Sequence, residues 1–223
     1  MQLTHLGHAA VLVEVADRRL LIDPGNFSSS WHGLTDLDAV LVTHQHPDHV
    51  DPQHVPALLA ANPDAQVWVE PQVLEKVDLG AARDRAQGLA ADSSIELGGV
   101  RISAVGGLHA IIHRDIPRIG NVGLVVEAEG EPRFFHPGDS LATCPQGVDV
   151  VAVPGYGPWA AMKETIDFAR QVGAAEGFIV HEGLLSERGF GLVHGRIGDM
   201  SPTRLVDLRG GEPFRPGSAG LDR

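Results

Sequence analysis

Thr43-His44-Gln45-His46-Pro47-Asp48-His49 puts four metal-binding side chains within six residues. It directly follows Asp38-Ala39-Val40-Leu41-Val42, an apolar run with the length and β-branched content of a buried strand. His44 and His46 stand two apart, so in an extended chain they project to the same side. Pro47 pushes His46 towards β or polyproline geometry and keeps that pair extended. The chain must then turn, which carries Asp48 and His49 in a second direction. Two imidazoles one way, with a carboxylate and an imidazole the other, make a donor set for two metals. Imidazole with carboxylate oxygen suits zinc best, and also manganese, iron or nickel. A loop that merely happens to be rich in solvated histidines is the plainer alternative, but it does not account for four such residues in this order after a buried strand.

Bulk properties narrow the class. A chain of 223 residues is long enough for one domain, 1–223, with a sizeable core, and 43% apolar with 21% charged residues is ordinary for a globular protein. The formal charge of −12 argues against a nucleic-acid partner, since such binders present clustered Lys and Arg. Cys144 is the sole cysteine, so no intramolecular disulfide forms, which fits a reducing compartment. Met1-Gln2-Leu3-Thr4-His5 has neither the basic nor the apolar region of a secretory signal. No apolar run approaches the roughly 20 residues that span a bilayer. The expectation is a cytoplasmic protein without a membrane partner, acting on a small molecule, with a homo-oligomer left open.

Patterning outward from the motif predicts strands over 2–6, 9–15 and 19–22, with Ala16-Asp17-Arg18 as the turn between the last two. Residues 24–36 read as a loop. A helix is expected over 51–62, with Asp51-Pro52 as N-cap and first position. A strand over 66–70 and a short helix over 71–76 follow, and 78–93 reads as loop or poorly formed helix. Strands at 94–97 and 100–105 make a hairpin across Gly98-Gly99. Strands at 122–128, 132–136, 149–153 and 177–180 are expected, with a helix over 159–172. Residues 182–223 are Gly-rich and read as a lid or edge strands, with the last ten residues disordered.

The motif His44-x-His46-x-Asp48-His49 resembles the signature of the metallo-β-lactamase superfamily of metallohydrolases. The opening segment Leu6-Gly7-His8-Ala9-Ala10-Val11-Leu12-Val13-Glu14, with Leu21-Ile22-Asp23-Pro24, resembles the branch of ascorbate-phosphate lactonases and related metal-dependent hydrolases, as does Asp51 after His49-Val50. Leu208-Arg209-Gly210-Gly211-Glu212-Pro213 resembles the family's closing turn. The resemblance implies an αββα sandwich of two mixed sheets flanked by helices, with halves near 1–110 and 111–223. It also implies the rest of the ligand set. His109, after Gly106-Gly107-Leu108, would be the third histidine of the first metal, although on spacing alone His113 competes and is otherwise a pocket residue. Asp139, in Pro137-Gly138-Asp139-Ser140, would bridge two metals, and His181 at a strand end would serve the second.

On this assignment two dications about 3.5–4 Å apart share a water whose pKa falls from ~15.7 towards ~7, which Asp48 also orients. The expected enzyme is a metal-dependent hydrolase cleaving an ester, lactone or phosphoester. A di-iron oxidoreductase of the same fold is the alternative, but that branch carries a carboxylate where His46 stands. A metal-stabilised binding protein is the other, against which the complete donor set speaks. Asp23 is equally readable as a support for a ligand histidine or as a strand cap, and His8 as a structural histidine. His136 is either buried or behind the ligands. Trp31, Tyr156 and Trp159 are candidates for stacking on a substrate ring, or for the core edge. Arg114, Arg118 and Lys163 are candidates for an anionic group, with solvated surface charge the plainer reading.

Overall fold

The computed structural model describes residues 1–217. Among them the chain opens with β1 (Gln2–His5), β2 (Val11–Val15) and β3 (Arg18–Ile22), an antiparallel meander. Ala16 and Asp17 take left-handed φ of 47° and 58°, as a tight hairpin between twisted strands requires. Then come β4 (Ala39–Val42), α1 (Val55–Ala61), β5 (Gln66–Val69), α2 (Pro71–Lys76) and β6 (Ala86–Gly88), whose strands run parallel to one another and to β3. These six strands form one sheet in chain order. The second sheet takes the hairpin β7 (Ser94–Leu97) and β8 (Val100–Gly106), then β9 (Val122–Ala128), β10 (Phe134–His136), β11 (Val150–Pro154), β12 (Glu176–Val180) and β13 (Arg204–Val206). Its outer helices are α3 (Met162–Val172) and α4 (Glu187–Met200).

Each central strand is apolar on both faces because each sheet is covered twice. In β3 and β4, Leu20, Ile22 and Leu41 face the other sheet, where they meet Ile102, Phe134, Ala152 and Phe178. Their neighbours Leu21, Val40 and Val42 face outward onto Val55, Leu58, Leu59 and Val73 of α1 and α2. On the far side Val151, Val153 and Ile179 lie under Ile166, Phe168, Phe190, Val193 and Ile197 of α3 and α4. The result is the four-layer αββα sandwich of two mixed sheets flanked by helices.

Several expectations need correction. The helix read over 51–62 begins only at Val55, because the Asp51 carboxylate bonds the Gln53 N–H (2.8 Å) and the His54 ring (2.6 Å), holding 52–54 in a turn. The helix read from 159 begins at Met162, after Trp159 has turned inward. Residues 78–93 supply the edge strand β6. Residues 182–217 supply the expected edge strand, β13, but also a 14-residue helix, α4, where a lid or edge strands were expected. Its glycines disguise it: the Ser186 side chain caps Gly189 N–H, and Phe190, Val193 and Ile197 make one buried stripe. The division near 110 is also misplaced, since β7 and β8 belong to the second sheet and the sheets divide near 90. Of the last ten residues, Phe214 is fixed by paired backbone hydrogen bonds to Leu3 (both 2.8 Å), while 218–223 lie outside the described residues.

The loops after β3, β4, β8, β10 and β12 converge and are tied across the sheets. Val122 N–H bonds Thr43 O (3.0 Å) and His181 N–H bonds His8 O (2.8 Å) from one sheet to the other, while Ala110 N–H bonds Asp139 O (2.8 Å) between two loops of the second. Gly25 lets the backbone of the β3 loop run against the motif, since a Cβ there would stand 1.7 Å from Asp48 O. Backbone cannot yield as a side-chain end can, so Gly25→Ala is expected to cost about 3 kcal/mol or more of stability in chemical denaturation. Gly191→Ala, in a part of α4 where a Cβ meets nothing within 4 Å, is expected to add about 0.5–1 kcal/mol in the same assay.

Candidate metal centre

The loop after β4 carries His44, His46, Asp48 and His49, and the second sheet brings His109, Asp139 and His181 to meet them. His44 Nε2 faces His46 Nδ1 at 3.1 Å. Asp139 stands between two groups of rings. Its Oδ2 lies 3.3 Å from His109 Nε2 and 3.7 Å from His44 Nε2, while its Oδ1 lies 3.0 Å from His49 Nε2 and 3.2 Å from His181 Nε2. Asp48 Oδ2 is 3.4 Å from His181 Nε2. Two clusters result, each with donor atoms within 4.8 Å of one another: His44, His46, His109 and Asp139, and His8, Asp48, His49 and His181.

The outer nitrogens of the rings are engaged. His49 Nδ1 donates to Asp23 Oδ2 at 2.7 Å, and Asp23 also accepts the Thr43 N–H (2.8 Å) and hydroxyl (2.6 Å). With that hydroxyl hydrogen committed, Thr43 Oγ1 accepts from His44 Nδ1 (3.1 Å). His109 Nδ1 donates to Ala110 O (2.7 Å) and His181 Nδ1 to Tyr156 O (2.6 Å). Each such bond leaves the Nε2 lone pair facing inward. His49, His109 and His181 Nε2 and Asp139 Oδ1 are buried without a hydrogen-bond partner. Orphaned buried donors of this kind are costly unless something binds them, and a divalent cation fits this set of imidazole nitrogens and carboxylate oxygens.

Local backbone strain aims these groups. His8, Asp23 and His181 hold left-handed φ of 54°, 49° and 63°, an uncommon conformation for side-chain-bearing residues. Gly138 (φ 60°) is required beside Asp139, because a Cβ there would stand 2.3 Å from Asn121 Oδ1. That same oxygen accepts the Asp139 N–H at 2.9 Å, and the Asn121 amide donates to Pro137 O at 3.0 Å.

Charges inside the site balance unevenly. Burial would raise Asp139, but His49, His181 and His44 outweigh it and hold the carboxyl well below its usual range. Burial would likewise raise Asp48, and its bonds to His181 and His8 overturn that. Burial alone would lower His49 and His181, yet Asp139 with Asp23 holds His49 well above its ordinary value, and Asp139 with Asp48 lifts His181 to about 9. His44 goes the other way, pushed well down by burial and by His49. The carboxylates therefore demand positive charge, from protons or from cations.

The other expected residues separate. Trp159 lines the cavity, and its indole N–H donates to Asp139 Oδ2 at 3.0 Å. Tyr156 is a correction: it contributes its carbonyl to His181, is 43% exposed, and does not line the site cavity. Trp31 is a correction: it is fully buried, with its indole on Gly25 O (3.0 Å), because the β3 loop folds over it as core. His113 and Arg114 are also corrections. They are exposed, turned towards Asp115, and do not line the site cavity. Asp23 proves to be the support of His49. His136 is wholly buried, its Nε2 on Ala9 O (3.0 Å) and its Nδ1 accepting Gly138 N–H (3.2 Å), so it braces the Asp139 turn. His8, expected to be structural, faces Asp48 Oδ2 at 3.1 Å and packs on His181 with ring centroids 4.1 Å apart. The signal for it was the glycine before it in a hairpin turn, which aims the ring inward. The exposed pair His32 and His54 flanks Asp51 in a third cluster outside the centre.

An αββα sandwich with two facing clusters of imidazole and carboxylate groups at its strand ends is suited to bind divalent metal. The chain belongs to the β-lactamase superfamily: the Beta-lactamase superfamily domain matches residues 2–176. It is 38% identical over 204 residues to Protein Rv0786c of Mycobacterium tuberculosis, covering 91% of this chain and 94% of that protein. It is 31% identical over 153 residues to a UPF0173 metal-dependent hydrolase of Xanthobacter autotrophicus, covering 63% of this chain and 62% of that protein. Among solved structures it is similar in fold to the metallo-β-lactamase fold protein YhfI of Bacillus subtilis, with TM-score 0.71 and 16% identity over 96% of this chain and 98% of that one. No helix among the described residues is long and apolar enough to cross a membrane.

Protons and cations compete for these donors, so metal affinity should rise with pH up to about 9, where His181 loses its proton, and fall as the site is acidified. Titration calorimetry in buffers of different ionisation enthalpy should show protons released on zinc binding at pH 7. Asp23→Asn, which weakens the hold on His49, is expected to lower metal affinity about 10–100-fold in competition with a chromogenic chelator.

Proposed function

We propose that the protein is a hydrolase with a dinuclear centre that cleaves an ester, lactone or phosphoester bond of a small molecule. His44, His46 and His109 would hold one divalent cation, Asp48, His49 and His181 the other, and Asp139 would bridge them, with zinc the best-suited metal. The observation that carries this reading is the Asp139 carboxylate, which turns one oxygen to each group of histidines. When bound, the two cations would supply Lewis-acid polarisation of the scissile group and an acidified water.

The protein's own contributions follow from its contacts. Burial lowers His8 against the opposing bond to Asp48, so the ring is neutral at pH 7, and its Nε2–H donates to Asp48 Oδ2. That bond positions the Asp48 carboxylate, whose role is to orient the attacking water. The Trp159 indole holds one Asp139 oxygen and forms the apolar wall of the cavity beside it. The carbonyls of Ala110 and Tyr156 keep His109 and His181 in the tautomer that points Nε2 inward.

Metal analysis by inductively coupled plasma mass spectrometry should find about two ions per chain in zinc- or manganese-loaded protein. The loaded protein should hydrolyse at least one of a phosphodiester, a lactone and a carboxylic ester. One ion per chain at saturation would overturn the bridging assignment. Asp48→Asn is expected to lower kcat by about 10²-fold or more with the fold intact by circular dichroism.

A further inference from the structure

The cavity above the centre, about 380 Å³, is lined by Phe27, Ile112, Pro158, Trp159 and Leu184 beside His46, Asp48, Asp139 and His181, with no lysine or arginine. Its rim is apolar and open to solvent. Phe27 is 49% exposed and Leu184 47%, and on the segment overhanging the site Ile111 and Ile116 are 64% and 49% exposed. Ile111 and Ile116 line a narrow pocket that adjoins His46 and His109. Large apolar side chains gathered this way at one mouth mark a binding surface.

The cations nearest the centre lie outside this cavity. The Arg118 guanidinium donates to His109 O and lines the narrow pocket beside His46 as well as a neighbouring groove with Glu164 and Asp167, but not the 380 Å³ cavity itself. Arg114 points to solvent beside Asp115 (3.8 Å), and Lys163 lines neither space. A phosphate monoester or diester would therefore find no arginine or lysine clamp in the cavity.

We infer that the substrate is an uncharged carboxylic ester or lactone carrying an apolar chain or ring, seated on Phe27, Ile112 and Leu184 while its carbonyl faces Asp48 and Asp139. The inference rests on the hydrolase reading and narrows its substrate class. In the reaction, the oxygen of water bonds to the carbonyl carbon, and the acyl C–O bond breaks with its electron pair passing to the alkoxy oxygen. One proton of the water goes to that alcohol, and the other is released as the acid ionises.

The test compares kcat/KM of zinc-loaded protein on p-nitrophenyl acetate, butyrate and hexanoate with that on bis(p-nitrophenyl) phosphate. Each methylene buried should raise kcat/KM about three- to fourfold, from ~0.8 kcal/mol per CH₂, so hexanoate, four methylenes longer, should exceed acetate by about 80- to 250-fold with all four buried, and the phosphodiester should be slowest. A binding arm uses methyl ketones, the uncleavable counterparts of the esters, titrated into metal-free protein with tryptophan fluorescence as the readout. Affinity should climb by about the same factor per methylene from 2-butanone to 2-octanone. Phe27→Ser and Leu184→Ser, at half-exposed positions, should each lower the advantage of the longest chain about fivefold. A flat chain-length profile, or a phosphodiester cleaved as fast as the esters, overturns this inference and leaves the hydrolase reading standing. A gradient in ketone binding with no turnover of any ester, lactone or phosphodiester overturns the hydrolase reading instead.

Discussion

One buried carboxylate, Asp139, is the constraint to which the rest of the molecule answers. Held in an apolar interior, it is tolerable only with positive charge and hydrogen bonds close around it. Asn121 fixes its backbone, Trp159 fixes one oxygen, and His44, His49, His109 and His181 stand within 3.7 Å. The rings come from opposite sheets. The loop after β4 delivers the motif, and the loops after β8 and β12 deliver His109 and His181. The centre is thus as much a product of the sheet-on-sheet core as of the motif, and loosening Phe134 or Phe178 would move one half of it against the other.

Around that carboxylate the protein holds costly features together. Three non-glycine residues keep left-handed backbone, and four buried donor atoms face one another without hydrogen bonds. A fold selected for stability alone would remove such features, and their concentration at the ends of well-packed strands is the mark of a functional site. The surrounding layers offset the cost. Strands apolar on both faces anchor the loops, and Asp23, Thr43 and His136 fill the space behind the rings with satisfied polar contacts. The mouth has the opposite character, since it leaves large apolar side chains in water next to a strongly polar floor. That contrast argues for a substrate with a polar reacting group and an apolar remainder.

Much of this was legible in the sequence, because its signals are local. The apolar run at 38–42 and the spacing of His44, His46, Asp48 and His49 follow from the two-residue period of an extended chain and a turn after proline. Double-sided burial made the inner strands readable as continuous apolar runs, and the resemblance carried by the motifs brought in His109, Asp139 and His181. What the sequence could not decide depends on distance in space. Whether His8 was structural or faced Asp48, and whether Asp23 capped a strand or held His49, turn on contacts 26 to 40 residues apart. Trp31 and Trp159 are alike as letters in loops, yet one is core and the other bonds the central carboxylate. The glycines of α4 hid its three-residue buried stripe, because a helix that packs on a sheet is held by that stripe and not by propensity. Local period and composition determined the strands and the motif; only the packing of one sheet on the other decided which polar side chains meet, since their partners are set by loop paths that no local pattern records.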